Sequence, residues 1–524
     1  MVAMTRLLRL LGGMSMYRQV TISLALIAGL TVAMAAWPMG ADEAALVGFL
    51  PIELLASLGT LLAASLLANW IAGLITQTRP HHESALITGL LLYCIAFPTD
   101  ELPSLLGLAV LAFIAVASKW AIAVGGRHLL NPAAAGMVAM SVVTSLTGWS
   151  TIDGPVRPTF GAWWIGSPVL LPGVAVLGGL LVWRLKAWWP AASYAIVAIA
   201  TATVSIAQFE QPLPALWLAL GSSPILFAAA FMITEPLTLP ARHWQQAVVA
   251  AVAALVAFTP WSLGPFFASP ELGIVVGNVL AFVLSPRRAM ALRLERSQRL
   301  SPRNVELALT PLPSALGRPR FIGGSYLELH LPHRGTDFRG SRRAFSITSA
   351  ADDPEVRIAV RVDERSSSFK RRLMALEPGT VLRATWVGGD FALPRGKVLL
   401  VAGGIGITPF LGQLADAASQ REGLSRVTLM YRASVADQHV ALDRLAATGV
   451  RVILSGAPVD GALPEGWQHA GAERIQAAQL LELVPDLAER RALVAGPPTF
   501  IAAWRSMLRG MVRGRVRTDA FVGY

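Results

Sequence analysis

The chain has 524 residues, of which 54% are hydrophobic and only 15% charged, and its mean hydropathy is +0.55. A soluble globular chain carries about a quarter charged residues, so this composition excludes a disordered chain, a small disulfide scaffold and a purely soluble enzyme. A single cysteine, Cys94, excludes a disulfide within the chain, a four-cysteine zinc site and a cysteine-ligated iron–sulfur cluster. The net charge of +12 is unevenly spread: residues 1–286 carry 10 Lys+Arg and 10 Asp+Glu, whereas residues 287–524 carry 34 and 22. The first part thus has the composition of a membrane domain and the second that of a soluble one. A basic soluble domain beside a membrane fits anionic lipid headgroups. Nucleic acid would need a motif or a concentrated basic patch, and neither is found. No metal site is expected.

In the first part, ten apolar runs are long enough to be read as membrane spans: about 19–37, 51–75, 84–98, 102–118, 129–147, 168–186, 189–207, 215–234, 244–260 and 270–286. The first is read as a retained helix rather than a cleaved signal peptide. Lys and Arg accumulate on the cytoplasmic side of spans. Numbering the loops from an inside N-terminus puts Arg6, Arg9, Arg18, Arg79, Lys119, Arg127, Arg184, Lys186, Arg242 and the cluster opening Arg287-Arg288 inside, and only Arg157 outside. The expectation is a multi-pass protein of the cytoplasmic membrane, with both ends and the soluble part in the cytoplasm. Haem would need imidazoles within the spans, but His81, His82, His128 and His243 lie in or beside loops.

Two membrane segments break the apolar pattern. One runs Gly125-Gly126-Arg127-His128-Leu129-Leu130-Asn131-Pro132-Ala133-Ala134-Ala135-Gly136, the other Phe231-Met232-Ile233-Thr234-Glu235-Pro236-Leu237-Thr238. A proline and polar groups at a helix end expose backbone groups that can hold a ligand or ion. A plain alternative is that Asn131 caps a helix opened by Pro132 and that Glu235 sits at the water interface. The stretches GRHLLNPAAAGM and FMITEPLTLP resemble the membrane subunits NqrB and RnfD of the sodium-pumping NADH:quinone reductase and the Rnf electron-transport complex, with Glu235 where that family usually has Asp. The resemblance implies ten helices in two inverted five-helix repeats, with FMN or riboflavin in the membrane domain. It also implies covalent FMN on a threonine of an outside loop. Thr159, six residues after Asp153, is the candidate. Val156-Arg157-Pro158 replaces the small residues usual there, which leaves an ordinary loop threonine as the other reading.

Residues 287–302 read as a basic linker, expected to extend helically along the membrane surface. Beyond it, Leu327-Glu328-Leu329-His330-Leu331 and Val356-Arg357-Ile358-Ala359-Val360-Arg361-Val362 alternate with period two and predict strands. They belong to a β-barrel over 303–396. The order strand, Gly-rich turn, helix then predicts an α/β domain over 397–524. In the barrel, Arg342-Arg343-Ala344-Phe345-Ser346-Ile347-Thr348 offers an Arg for a diphosphate, a Ser for a flavin edge and a Phe for its face. Downstream, Arg361 is followed by Ser366-Ser367-Ser368-Phe369-Lys370-Arg371-Arg372, where hydroxyls and backbone N–H groups open a helix and make an anion site. The apolar run Val398–Ala402 enters Gly403-Gly404-Ile405-Gly406-Ile407-Thr408-Pro409-Phe410, and glycines at a strand–helix turn let backbone approach a pyrophosphate. A later strand ends in Gly496-Pro497, and the chain closes with Phe521-Val522-Gly523-Tyr524.

In order, RAFS, SSFKRRL, GGDFALP, GGIGITPF, AGPP and FVGY resemble the ferredoxin–NADP reductase superfamily over about 303–524. The resemblance implies FAD held by Arg343, Phe345, Ser346, Ile347, Thr348, Arg361, Ser367, Ser368, Phe369, Lys370 and Tyr524. It implies NAD(P)H held by Gly403, Gly404, Gly406, Thr408, Pro409, Gly496 and Pro497, with Ser346 and Thr408 nearest the chemistry. Phe345 stands where Tyr is commoner and Ala495 where many members have Cys. The expected function is electron transfer from cytoplasmic NAD(P)H through FAD and membrane-domain flavin. The acceptor lies at or beyond the far face and is a flavin-binding protein or a quinone. An NAD(P)H:quinone or ferric reductase working on one side, and a flavodomain-regulated ion transporter, are the alternatives. Arg432 is a single candidate for a 2′-phosphate and does not decide between NADH and NADPH.

Overall fold

The computed structural model describes residues 16–36, 48–76, 82–124, 127–147, 163–221, 223–240, 242–284, 290–313, 321–333, 341–363, 366–389, 391–420 and 423–520. The chain divides into two compact units, Met1–Pro286 and Arg287–Tyr524.

The first unit is helical. Among the described residues, four helices are long and apolar enough to cross a membrane: Met16–Ala36, Pro51–Ile75, Leu102–Ala121 and Trp188–Ile206. A fifth crossing is available if Pro212–Gly221 and Ile225–Met232, bent by 52°, form one span. Five shorter apolar helices, His82–Ile95, Pro132–Thr147, Leu171–Leu185, His243–Phe258 and Pro270–Leu284, lie at the remaining predicted positions. Three of the breaks follow from sequence. Pro132 and Pro270 each open a helix, where a missing N–H costs nothing. Ala228–Met232 is a π-turn just before the Thr234-Glu235-Pro236 segment, the kind of irregularity that concentrates at functional sites. Two short hairpins interrupt the helices: β1 (Ala123–Val124) with β2 (Arg127–His128), and β3 (Ser262–Leu263) with β4 (Phe266–Phe267).

The second unit has two halves. Six antiparallel strands pair in the order β8 (Arg342–Ser346), β7 (Tyr326–His330), β10 (Val381–Gly388), β5 (Met290–Ser301), β6 (Asn304–Pro311), β9 (Val356–Arg361). A bridge from Ile347 to Ile358 closes the sheet into a barrel. This corrects the expected helical linker: residues 290–301 are a barrel strand. Met290, Leu292 and Leu294 face the core while Ala291 and Arg293 face out, a period-two pattern in which arginine occupies outward positions. The barrel therefore starts near 290, not 303.

The other half is a parallel sheet in the order β14 (Gln468–His469), β13 (Arg451–Gly456), β12 (Val427–Ala433), β11 (Val398–Gly403), β15 (Arg491–Gly496), β16 (Arg517–Ala520). Alternate residues of β11 feed opposite cores, Val398, Leu400 and Ala402 one and Leu399 and Val401 the other, as a sheet covered on both faces requires. The halves meet where Gly323 N–H donates to Asp416 Oδ2 at 3.0 Å and Ala351 N–H to Asp416 Oδ1 at 3.1 Å.

At the amino end of β11, Arg490 is buried and donates to Val398 O at 2.9 Å and Arg426 O at 3.2 Å. Its charge is met by Asp486 through Nε–Oδ1 at 2.6 Å and Nη2–Oδ2 at 3.1 Å. Arg490 and Lys397 hold the Asp486 carboxyl down to about 2. A depressed acid stabilises the folded state above its unfolded pKa and loses that contribution as pH falls through the folded one. The pair should therefore support this unit fully above about pH 4 and fail toward pH 2. Asp486→Ala should cost about 2 kcal/mol, read as an earlier thermal unfolding of this unit at pH 7. The deficit should shrink as the wild-type protein is acidified.

Candidate functional site

On the barrel, β8 turns Arg343 and Phe345 inward by strand alternation, and the helix Ser368–Met374 packs beneath them. The Arg343 guanidinium, almost fully buried, lies 5.2 Å from the Phe369 ring centre, and its Nη1 donates to Arg342 O at 2.7 Å. Phe345 and Phe369 sit 6.0 Å apart at 32° within the barrel core. Ser367 caps the helix, accepting from Lys370 N–H at 3.3 Å. Ser368 Oγ lies 2.9 Å from His333 Nε2, whose Nδ1 donates to Leu331 O at 2.8 Å. Arg343, Phe345, Ser368 and Phe369 are thus brought together as expected. His333 joins them from the irregular segment that follows β7, with no local signal to announce it. Ser346 is buried beside them in sequence. The Ile347 side chain is buried in the barrel core, and Thr348 is buried where Glu306 and Arg444 meet. Thr348 donates to Glu306 Oε1 at 3.2 Å, its carbonyl accepts from Arg444, and Arg444 Nη1 meets Glu306 at 2.6 Å. Arg361 is shared by two carboxylates, Asp363 Oδ1 at 3.3 Å and Asp437 Oδ1 at 3.3 Å.

At the carboxyl end of the parallel sheet, β11 runs into a tight turn, Gly404–Ile407, and then the helix Thr408–Ser419 with Pro409 in its first turn. Gly404 has φ +56°, and a Cβ there would find only Asp437 Oδ2 at 3.9 Å. The space over this residue is open. Gly406 is different: a Cβ would stand 2.4 Å from Ala495 O, so only glycine lets the turn press against β15. Thr408 Oγ1 donates to Ile405 O at 2.9 Å and locks the turn. Ala402 pairs with Ala495 in register, so the Gly496-Pro497 turn ends beside Gly403. β12 lies on one side of β11 and β15 on the other, which makes this the switch point where open α/β sheets bind ligands. Tyr524 and Thr159 lie outside the described residues.

In the helical unit, the two interrupted motifs converge on one partly open pocket. Lys119, His128, Asn131, Glu235, Thr88 and Phe231 are among its lining. Asn131 Oδ1 caps the helix through Ala134 N–H at 3.1 Å, and its Nδ2 donates to Glu235 Oε2 at 3.0 Å. His128 Nε2 donates to Glu235 Oε1 at 2.8 Å. Capping and ligand-site geometry are thus both present. Sequence reading missed the supports: Asn278 Oδ1, which accepts from Asn131 N–H at 2.6 Å, and Lys119 Nζ, which donates to Ser84 O at 2.7 Å.

No protein-family model matches the chain. It is similar to the heme-dependent oxidative N-demethylase beta subunit of Ectopseudomonas mendocina, at 36% identity over 152 residues, 28% of this chain and 46% of that protein. It is also similar to a flavohemoprotein of Pseudomonas putida, at 28% identity over 191 residues, 36% of this chain and 47% of that protein. The chain spans about half the length of these curated relatives. Among solved structures, the flavohem-like FAD/NAD-binding domain of nitric oxide dioxygenase from Vibrio cholerae aligns at 22% identity with a TM-score of 0.37, over 44% of this chain and 98% of that one.

Proposed function

We propose that the chain is a membrane flavoprotein oxidoreductase that draws electrons from cytoplasmic NAD(P)H. It delivers them through FAD and a membrane-domain flavin to an acceptor at or beyond the far face. The observation that carries this reading is the joining, in one compact unit, of a barrel bearing Arg343 and the Ser367–Lys370 helix start to a sheet end bearing the Gly404 and Gly496 turns. Both cofactors fit the residues present. The open left-handed Gly404 leaves room for a pyrophosphate at the turn that leads into the helix Thr408–Ser419. Arg343 and the Ser367 and Ser368 hydroxyls supply donors to a flavin diphosphate. Flavin bound there supplies hydride acceptance and release of single electrons, chemistry that belongs to the cofactor. The protein's own part is to hold both nucleotides across the cleft between barrel and sheet. The flavohemoprotein and the oxidative demethylase subunit among the relatives support a redox role.

The membrane arrangement rests on the apolar helices and on the Lys/Arg asymmetry of their loops. In this proposal ten helices form two inverted repeats in the cytoplasmic membrane, the arrangement that the resemblance to the NqrB and RnfD subunits implies. The pocket at Asn131 and Glu235, lined by these polar groups and by apolar side chains such as Leu91 and Phe231, supports placing FMN or riboflavin there. A covalent FMN at Thr159 would extend the chain of cofactors to the outer face. The test is flavin analysis of the purified full chain, separating acid-released from covalently held flavin. Acid-released FAD plus a second flavin is the expected result, and FAD alone would remove the membrane-domain flavin. Mass mapping of the 127–184 region, from cells holding the attaching enzyme, decides between FMN on Thr159 and an ordinary loop threonine. An unmodified Thr159 would mean that any outer flavin is non-covalent or carried by a partner.

A further inference from the structure

His333 stands beside the helix start offered to the flavin diphosphate, and the hydrogen-bond roles around its ring are set by its neighbours. Nδ1 lies 2.8 Å from Leu331 O, and Nε2 lies 2.9 Å from Ser368 Oγ. A carbonyl oxygen only accepts, so Nδ1 carries a hydrogen. In the neutral imidazole the other nitrogen then presents a lone pair. Ser368 gives its one hydroxyl hydrogen to that lone pair. The same hydroxyl is the donor offered to a flavin diphosphate, and one hydrogen does not serve both acceptors. Protonation of Nε2 removes the conflict. Nε2–H then donates to Ser368 Oγ, and the hydroxyl hydrogen turns toward the phosphate.

The surroundings suit that exchange. Ser368 is buried at the start of its helix, where Ser367 already accepts from Lys370 N–H. His333 and Arg343 both stand against the Phe369 ring, the imidazole 6.5 Å away between ring centres and the guanidinium 5.2 Å from the ring centre. The helix also carries Lys370, Arg371 and Arg372, with Arg371 Nη1 donating to Ser366 O at 3.0 Å. On β7, Glu328 and His330 alternate with the core-facing Leu327 and Leu329. Glu328 is met by Arg342 at 3.7 Å and accepts from Thr385 Oγ1 at 2.6 Å. A diphosphate entering here brings negative charge beside the imidazole, and a nearby opposite charge favours the protonated form.

We propose that His333 is a positioning residue for the flavin diphosphate, taking up one solvent proton at Nε2 as FAD binds and so turning the Ser368 hydroxyl onto the phosphate. No other bond forms or breaks. The inference rests on reading the barrel as the FAD site. A group that gains a proton on binding makes the complex tightest at low pH and looser as pH rises through the bound-state titration. The test is release of flavin from the purified full chain on dilution, followed by fluorescence between about pH 6 and 8, where imidazoles titrate. Chromatography identifies the released flavin as FAD. The wild-type release rate should rise by about tenfold across that range. His333→Gln, whose amide N–H donates to Ser368 Oγ at every pH, should give a flat profile. Ser368→Ala should release FAD faster at the acid end and lose most of the slope, and it serves if His333→Gln does not fold. A flat wild-type profile, or a slope that survives either substitution undiminished, would overturn the inference. Failure of the barrel reading shows differently: FAD then stays bound when Arg343 and Ser346 are both replaced by alanine, whatever the pH profile of the His333 variant.

Discussion

Gly404→Val is expected to slow reduction of the bound FAD by NADH or NADPH by at least about 100-fold, while dithionite still reduces it. Two effects combine at this residue. A β-branched side chain at φ +56° is strained, costing about 1–2 kcal/mol. That is a modest fraction of the stability of a domain and should leave the fold intact. A Cβ at Gly404 meets only Asp437 Oδ2 at 3.9 Å, so the side chain enters the open space where the pyrophosphate must approach. The loss should therefore appear in the nucleotide reaction and not in FAD content. Anaerobic stopped-flow absorbance separates the two. Wild-type rates with both nucleotides in this variant would remove the site from Gly403–Pro409. Gly406 gives the contrasting case. Its missing Cβ is needed by Ala495 O, so Gly406→Ala should damage packing as well as nucleotide use.

What the sequence makes legible is what local pattern encodes. The Gly403–Pro409 turn announces itself because strand, glycines and helix are contiguous, and the fold places it at the end of β11. Strand β9 was visible as a period-two run. Strand β5 has the same period, but its run of basic residues reads as a membrane-surface helix. Arg293, Arg296 and Arg299 draw attention to charge, whereas Met290, Leu292 and Leu294 carry the fold. Contacts between distant residues were not legible. Glu306 and Arg444 are 138 residues apart, and Asn131 and Asn278 are 147 apart. The membrane motifs show an intermediate case. Each could be recognised alone, but that Asn131 and His128 share the one carboxylate of Glu235 emerges only when the helices are packed. His333 is the clearest omission. A lone histidine after a strand carries no signal until the Ser368 hydroxyl is found 2.9 Å away.

Replacing Arg343 and Ser346 together by alanine is expected to strip FAD from a protein that still folds. Arg343 is held rather than free to wander. It is 4% exposed, its guanidinium stands over Phe369, and Nη1 is anchored on Arg342 O. A preorganised guanidinium loses little entropy on binding a diphosphate and can engage it through two parallel donors. Such a charge-assisted contact is worth about 1.5–3 kcal/mol, and a neutral hydrogen bond from Ser346 to the flavin edge about 1 kcal/mol more. Together they amount to about 100- to 1,000-fold in affinity, enough to empty the site during purification. The measurement is flavin absorbance per chain after gel filtration, with circular dichroism to show that the barrel persists. Arg343→Lys sharpens the reading. Lysine keeps the charge but not the planar fork, so occupancy should fall between that of the wild type and the double variant. If charge alone mattered, it would match the wild type. Full FAD occupancy in the double variant would sink the assignment of the cofactor to this barrel.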